Sequence, residues 1–349
     1  MKKHAIIPIF IPHQGCPNDC IFCNQKKITA RQKAVTAEDV ETIIKTYLPT
    51  LQNRNLETIE IAFFGGSFTG IPISDQTKYL KVAKKYKDKG LIDKIHLSTR
   101  PDYINEDILN NLKDHSVDII ELGVQSFDEE VLKLSNRGHN SQIVYKSSKL
   151  IQDYGFELGI QLMIGLPGDT LEKCIYSAKE TVKIGPSLAR LYPTIVINDT
   201  ELYNQYKCGK YIALSQDEAV LRSKEMYKIL DGAGINIIRV GLKSTDIINE
   251  NGEIIGGTFH PAFRQLVEGE IAKERFEEIL SNSQFQELVS RSDLPPARIE
   301  FLSNPKSFSN MIGNGSRNKI YFSKKYPTLN IKYAIDNSLG DNEYRIQKD

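Results

Sequence analysis

Short apolar runs alternate with amphipathic stretches through the first half of the chain. AIIPIFI (5–11), TIEIAFF (58–64), KIHLS (94–98), VDIIELGV (117–124), FELGIQLMI (156–164) and SLARLYP (187–193) have strand length and are rich in branched and aromatic residues. Between them, TAEDVETIIKTYL (36–48), SDQTKYLKVAKKYKD (74–88), NEDILNNLKDH (105–115) and TLEKCIYSAKETVKI (170–184) carry apolar residues at helical spacing, and helical patterns also fill the chain to about residue 153. These are six strand–helix units. Their strands read as too apolar to face water on one side. The pattern therefore predicts an α/β fold with a parallel sheet, either open and doubly wound or a barrel.

The pattern changes after Pro193. A polar bridge leads to a helix near 216–232, a strand INIIRVGL (235–242) and a helix HPAFRQLVEGEIAKERFEEIL (260–280). A boundary falls at SRSDLPPAR (290–298), and residues 295–349 read as a small βαβ(β) unit. The expected organisation is a core over 1–290, made of strand–helix units over about 5–195 and an extension over about 196–290, followed by the small unit.

Composition narrows the class. A chain of 349 residues accommodates one large α/β domain with an appendage, or two to three ordinary domains. A hydrophobic share of 40% and a charged share of 26% are those of a soluble globular protein. The net charge of +1 supplies no global field toward nucleic acid or membrane. MKKHAIIPIFIPHQ is broken by Pro8 and Pro12 and lacks the apolar stretch of a signal peptide. No apolar run is long enough to span a bilayer, so no membrane partner is expected. Five cysteines, three of them clustered, argue for thiols in a reducing compartment rather than a disulfide framework, and make the cytoplasm the expected location.

The cluster lies in GCPNDCIFCN (15–24): Cys16, Cys20 and Cys23. Parallel α/β folds bind ligands at the carboxyl ends of their strands. Here the first strand leads into the three cysteines and the second ends in Gly65-Gly66-Ser67-Phe68. The third ends in Ser98-Thr99-Arg100. The fourth carries Glu121 and Gln125, with Arg137 beyond. The fifth carries Gln161 and ends in Gly165-Leu166-Pro167-Gly168. Polar groups and glycines thus converge on one rim. Three soft thiolates suit zinc or an iron–sulfur cluster. Zinc would need a fourth protein ligand, for which His13 is the nearest candidate. A 4Fe–4S cluster would leave one iron open to a small molecule binding through an amine and a carboxylate. Cys174, in mid-helix, reads as a packing residue. Cys208 lies near the rim, where it could donate a hydrogen atom, and Tyr192 ends the sixth strand. His260 has no assigned role.

C-x3-C-x2-C with Phe22 before its last cysteine resembles the signature of the radical S-adenosylmethionine (SAM) superfamily. FFGGSFTGIP, LSTRPDYI, IELGVQSFDEEVL with SNRGH, IQLMIGLPGDT and LYPTIVINDTELYNQYKCGKY resemble the radical SAM core of the Elongator catalytic subunit and its bacterial relatives, from about residue 6 to 280. The resemblance implies a partial (β/α)6 barrel of the TIM type with a small C-terminal α+β subdomain. It also implies a 4Fe–4S cluster on Cys16, Cys20 and Cys23 whose free iron binds SAM. An electron from a donor such as flavodoxin or ferredoxin would cleave the C5′–S bond to a 5′-deoxyadenosyl radical. Gly65 and Gly66 would admit the methionine amine, with Ser67 following as in the Elongator branch. Gln125 and Arg137 have the twelve-residue spacing of the oxygen-independent coproporphyrinogen oxidase branch, where such residues meet the SAM ribose and carboxylate. Gln161 aligns with a further ribose contact, and Phe22 belongs to the same cofactor-binding set. Ser98 stands where the family has an acidic residue.

The cluster begins at residue 16 and only 55 residues follow position 294, so Elongator's tRNA-binding extension and acetyltransferase domain are expected to have no counterpart. The tail is basic. Residues 295–349 hold nine basic and five acidic residues, a net of +4, and 304–327 contain Lys306, Arg317, Lys319, Lys324 and Lys325 with no acid. MIGNGSRNKI loosely resembles the glycine loop of KH domains. The leading expectation is an enzyme acting on RNA, a tRNA base above all, with the basic tail as the RNA contact. The alternatives are radical chemistry on a small metabolite or tetrapyrrole, and a non-catalytic Fe–S or zinc nucleic-acid-binding protein.

Overall fold

The alternation of strand and helix is realised in a computed structural model that describes residues 4–11, 16, 20–23, 35–51, 54–242, 254–290 and 296–348. It runs β1 (His4–Ile11), α1 (Ala37–Leu51), β2 (Thr58–Gly65), α2 (Ile73–Asp88), β3 (Lys94–Thr99), α3 (Glu106–Asp114), β4 (Ile119–Gln125), α4 (Glu129–Leu134), α5 (Ser141–Asp153), β5 (Glu157–Ile164), α6 (Leu171–Ile184) and β6 (Leu188–Pro193). Local chemistry starts the helices. Thr36 and Asp39 form a reciprocal capping box before α1. Asn105, Asp128, Asn140 and Thr170 accept the first free N–H groups of α3, α4, α5 and α6. Gly185, at φ +69°, ends α6 in the left-handed region.

The chain continues through β7 (Ile195–Ile197), α7 (Glu201–Lys207), α8 (Gln216–Gly232), β8 (Asn236–Val240) and β9 (Ile254–Gly257). Seven strands form one sheet in the order β1-β2-β3-β4-β5-β6-β8, every neighbouring pair parallel. This is the parallel sheet that the alternation predicts, in the partial-barrel form that the resemblance implies. β8, expected from sequence as part of the extension, adds a seventh strand to the six units. β7 and β9 pair antiparallel as a separate ribbon.

The strands are covered on both faces, in keeping with the expectation that neither side faces water, since Glu60, His96 and Glu121 are as buried as the apolar residues. The two faces nevertheless differ in character. Ile61, Phe63, Ile95, Leu97, Ile120, Leu122, Ile160, Leu162, Ala189 and Leu191 are fully buried and alternate along their strands. The intervening positions include Glu60, His96, Ser98, Glu121, Gln161 and Arg190. One face of the sheet therefore makes the apolar core, and the other holds polar and charged groups.

The chain divides into two compact units, Met1–Ser215 with Met226–Phe259, and Gln216–Glu225 with His260–Asp349. The second contains α9 (Phe263–Leu280), α10 (Ser283–Ser290), β10 (Ala297–Ser303), α11 (Phe308–Ile312), α12 (Arg317–Lys325), β11 (Leu329–Ile335) and β12 (Tyr344–Lys348). β10 is the middle strand, parallel to β11 and antiparallel to β12. Phe276 and Leu280 of α9 are buried with Ile299, Phe301, Met311, Phe322 and Ile346, and the Phe276 and Phe301 rings stack at 4.1 Å. In this division α9 goes with the sheet that follows, to whose core it contributes Phe276 and Leu280.

Candidate functional site

The cysteine segment is pinned by Ile21. Its N–H donates to Ser135 O at the end of α4 (3.2 Å), and its carbonyl accepts from Leu202 N in the first turn of α7 (2.8 Å). Its side chain is buried with Val196, Leu202 and Tyr211, and Phe22 packs on this group. Cys23 N closes a turn on Cys20 O at 2.9 Å. Cys20 is buried, while Cys16 and Cys23 are half-buried. Residues 12–15, 17–19 and 24–34 lie outside the described residues, and His13 with them. Among the described residues no three His, Cys, Asp or Glu side chains are gathered closely enough to hold a metal ion.

Two buried guanidinium groups face Cys20. Arg137 Nη1 donates to its Sγ at 3.2 Å, and Nη2 donates to Gly123 O. Arg100 Nη1 lies 3.8 Å from the same sulfur. Arg100 also clasps the Asp102 carboxylate through Nε and Nη2, both at 2.9 Å, and donates from Nη2 to Arg137 O at 2.7 Å. Burial works against its charge, but Asp102 and the thiols of Cys20 and Cys16 outweigh that and raise its pKa. His139, two residues beyond Arg137, is pushed down to about 4, first by burial and then by Arg137. It is therefore neutral at pH 7.

The glycine that ends β2 is demanded by the neighbouring strand. Gly65 sits at φ +115°, and a Cβ there would lie 2.4 Å from Ile11 O. Gly66 N donates to that same carbonyl at 3.2 Å, which draws the ends of β1 and β2 together. The Ser67 hydroxyl is buried and hydrogen-bonds with Thr99 Oγ1 (2.8 Å) and accepts from Arg100 N (3.2 Å). Its side chain is committed to joining the ends of β2 and β3.

Gln125 closes β4 at φ +74°, where the pairing with β5 shifts register. A non-glycine residue held there costs about 1–3 kcal/mol, and such strain gathers at functional sites. The irregularity lets Gln125 Oε1 accept from Gln161 Nε2 at 3.1 Å. Gly123 leaves little space, since a Cβ would come within 3.1 Å of Gln125 Nε2 and 3.2 Å of Arg137 Nη2. Cys20, Arg137, Gly123, Gln125 and Gln161 thus form one connected group, although they come from three separate parts of the sequence.

Two profile matches account for most of the chain. The radical SAM superfamily matches residues 10–180, and the radical SAM C-terminal domain matches residues 186–273. The chain belongs to the radical SAM superfamily. The tRNA uridine(34) acetyltransferase of Methanocaldococcus infernus is 28% identical over 260 residues, covering 62% of this chain and 48% of that protein. Elongator complex protein 3 of Dictyostelium discoideum is 27% identical, covering 62% and 46%. The chain spans about half the length of these curated relatives. Among solved structures, the archaeal Methanocaldococcus infernus Elp3 with an N-terminal deletion superposes with a TM-score of 0.63 at 22% identity, covering 79% of this chain and 64% of that one. That likeness establishes the fold.

The residues fit the two groups that radical SAM enzymes use. Three thiols stand on one short segment, and two fixed cations face one of them, which suits thiolate ligands to an anionic cluster. Arg137 Nε, on the side chain that reaches Cys20, and His139 Nε2 are buried without a hydrogen-bond partner among the described residues. Buried polar groups of this kind are ordinarily hydrogen-bonded, so a polar partner at this place is called for.

Sequence reasoning missed a chain of charges on the polar face of this radical SAM sheet. Glu60 accepts from His4 (3.1 Å) and pairs with His96 Nδ1 (2.6 Å). His96 Nε2 lies 3.7 Å from Glu121, which pairs with Arg190 Nε at 2.7 Å and accepts from Ser98 at 3.1 Å. Arg190 reaches Tyr192 at 3.2 Å and lies 4.7 Å over the Phe64 ring. Burial raises the Glu60 pKa, yet hydrogen bonds to His4 and His96 prevail and bring it to about 2. The sequence does carry the signal, because these polar residues alternate with apolar ones inside otherwise hydrophobic strands.

The remaining candidates lie outside this connected group. Cys174 Sγ is 3.1 Å from Asp169, which also accepts from Gly165 N and shapes the Gly165–Gly168 turn. Cys208 is exposed. His260 Nδ1 accepts from Ala262 N at the start of α9. In the tail, acids from elsewhere in the sequence meet three of the five cations: Lys306 pairs with Asp341 (2.9 Å), Arg317 with Asp217 (3.1 Å) and Lys325 with Glu277 (2.7 Å). The run itself holds no acid, yet three of its cations are paired in space, and Lys319 and Lys324 are left exposed. Among the described residues no helix is long and apolar enough to cross a membrane.

Proposed function

We propose that this radical SAM enzyme holds a 4Fe–4S cluster on Cys16, Cys20 and Cys23, binds SAM over Gly65, Gly66, Gln125, Gln161 and Arg137, and acts in the cytoplasm on a base of tRNA. When bound, the cluster and SAM supply reductive cleavage of the C5′–S bond to a 5′-deoxyadenosyl radical, given one electron from a donor of the flavodoxin or ferredoxin kind. The chain's residues would bind and orient. Arg137 offers a fixed guanidinium between the cysteine segment and the end of β4, the place for a carboxylate bound beside the cluster. The Gln125–Gln161 pair presents amides toward ribose hydroxyls. Ser67 acts through its backbone, since its hydroxyl is engaged by Thr99. The single observation carrying the reading is the connected group of Cys20, Arg137, Gly123, Gln125 and Gln161.

The tRNA substrate is supported by the relatives, whose names place them on tRNA uridine 34 and in Elongator. The exposed Lys319 and Lys324 are the proposed phosphate contacts. Anaerobic reconstitution should load about four irons per chain, and dithionite should then drive SAM cleavage. Stoichiometric zinc without iron uptake ends the cluster reading. A deletion strain with an unchanged tRNA modification profile ends the tRNA reading and leaves a small-molecule substrate.

A further inference from the structure

We propose that Arg100 sets the reduction potential of the iron–sulfur cluster, as a positioning residue that fixes a cation against the Cys20 sulfur; this rests on the cluster reading above. Arg100 is 3% exposed and follows β3 directly. Its backbone N–H is held by Ser67 Oγ. Its side chain is held at three points: Nε and Nη2 on the two Asp102 oxygens, and Nη2 on Arg137 O. What remains is Nη1, and it faces Cys20 Sγ. A guanidinium with its other donors occupied in this way is not free to turn toward a bound carboxylate. Arg137, with Nε unpartnered among the described residues, is the better placed for that. The two arginines therefore have different work although both reach the same sulfur.

The physical consequence concerns electron entry. Reduction adds a negative charge to the cluster. A fixed cation and an N–H aimed at a ligand sulfur stabilise the reduced form and raise the potential. Asp102 sits on the far side of the guanidinium, so the positive end points at the sulfur. Removing Arg100 both deletes the cation and leaves the Asp102 carboxylate uncompensated, and the two effects lower the potential together.

The test uses the full chain, reconstituted anaerobically, with the potential read by an EPR-monitored titration against dithionite. Arg100→Gln should load iron and titrate at a more negative potential than the wild type, while Arg100→Lys stays close to it. Loss of the cluster in Arg100→Gln with normal loading in Arg100→Lys overturns the proposal, because the charge then holds the cluster rather than setting its potential. An unchanged potential in Arg100→Gln overturns it. So does failure of both variants to load, which makes Arg100 a brace for the Arg137 loop. A wild-type chain that takes up no iron fails the cluster reading itself, a result distinct from all of these.

Discussion

Glu121 and Arg190 offer a direct test of the charged face of the sheet. Glu121 is 1% exposed and Arg190 side-chain exposure is 12%, with 2.7 Å between Nε and Oε2. Glu121→Leu removes the carboxylate and leaves the buried guanidinium with Tyr192, the Phe64 ring and the more distant Glu60 charge. Breaking one side of a buried pair costs about 3–5 kcal/mol, whereas replacing both sides with apolar groups of similar volume is often neutral or stabilising. The lost Ser98 hydrogen bond adds about 1 kcal/mol. Against a domain stability of about 5–15 kcal/mol this is a large fraction. The melting temperature of the cluster-free chain should fall by roughly 2–4 °C per kcal/mol, so by about 10 °C or more. The double variant Glu121→Leu/Arg190→Met should recover most of that loss. Calorimetry and urea unfolding of both variants and of Arg190→Met complete the cycle. A single variant within about 1 kcal/mol of the wild type, or a double variant no better than the worse single one, refutes the reasoning, because either result means the pair is not desolvated.

The remaining predictions concern the same face, the rim and the tail. Glu60 has its pKa lowered from 4.5 to about 2, so its contribution is complete above pH 4.5 and is lost as pH falls toward 2; the shift corresponds to about 3 kcal/mol at most. An acid titration of the wild type against Glu60→Gln should show the two curves converging over that window, and parallel curves would contradict it. Arg137→Ala should weaken SAM binding by about 2 kcal/mol, roughly thirtyfold, with iron content intact; equilibrium dialysis showing unchanged affinity would place Arg137 outside the SAM site. Gly65→Ala should destabilise the chain through both its φ of +115° and the 2.4 Å approach to Ile11 O; a melting point equal to the wild type's would mean that the strand ends give way freely. Replacing Lys319 and Lys324 together should flatten the slope of log affinity for tRNA against log salt by about 0.9 for each phosphate no longer neutralised, and an unchanged slope would remove the tail from RNA binding.

The elements are legible in the sequence because the signals that set them are local. α6 begins after Thr170 and ends before Gly185, both readable from the sequence, and the structure places it at Leu171–Ile184. The helix expected near 216–232 occupies Gln216–Gly232. The convergence of Cys20, Gln125, Arg137 and Gln161 is legible too, since it needs only the rule that parallel strands present their carboxyl ends together. What each side chain touches is not. Arg137 lies 117 residues from Cys20 and Arg100 lies 80 residues from it, so their contacts depend on strand order rather than on any spacing. Gln125 occupies positive φ with no glycine to announce it. The tail shows the same limit from the other direction. Its run of cations contains no acid, but Asp217, Glu277 and Asp341 reach it from other segments of the second unit. Charge counted along a chain measures what is adjacent in sequence, whereas phosphate binding depends on what is left uncompensated in space. That difference reduces five candidate contacts to Lys319 and Lys324, and it is why those two carry the test.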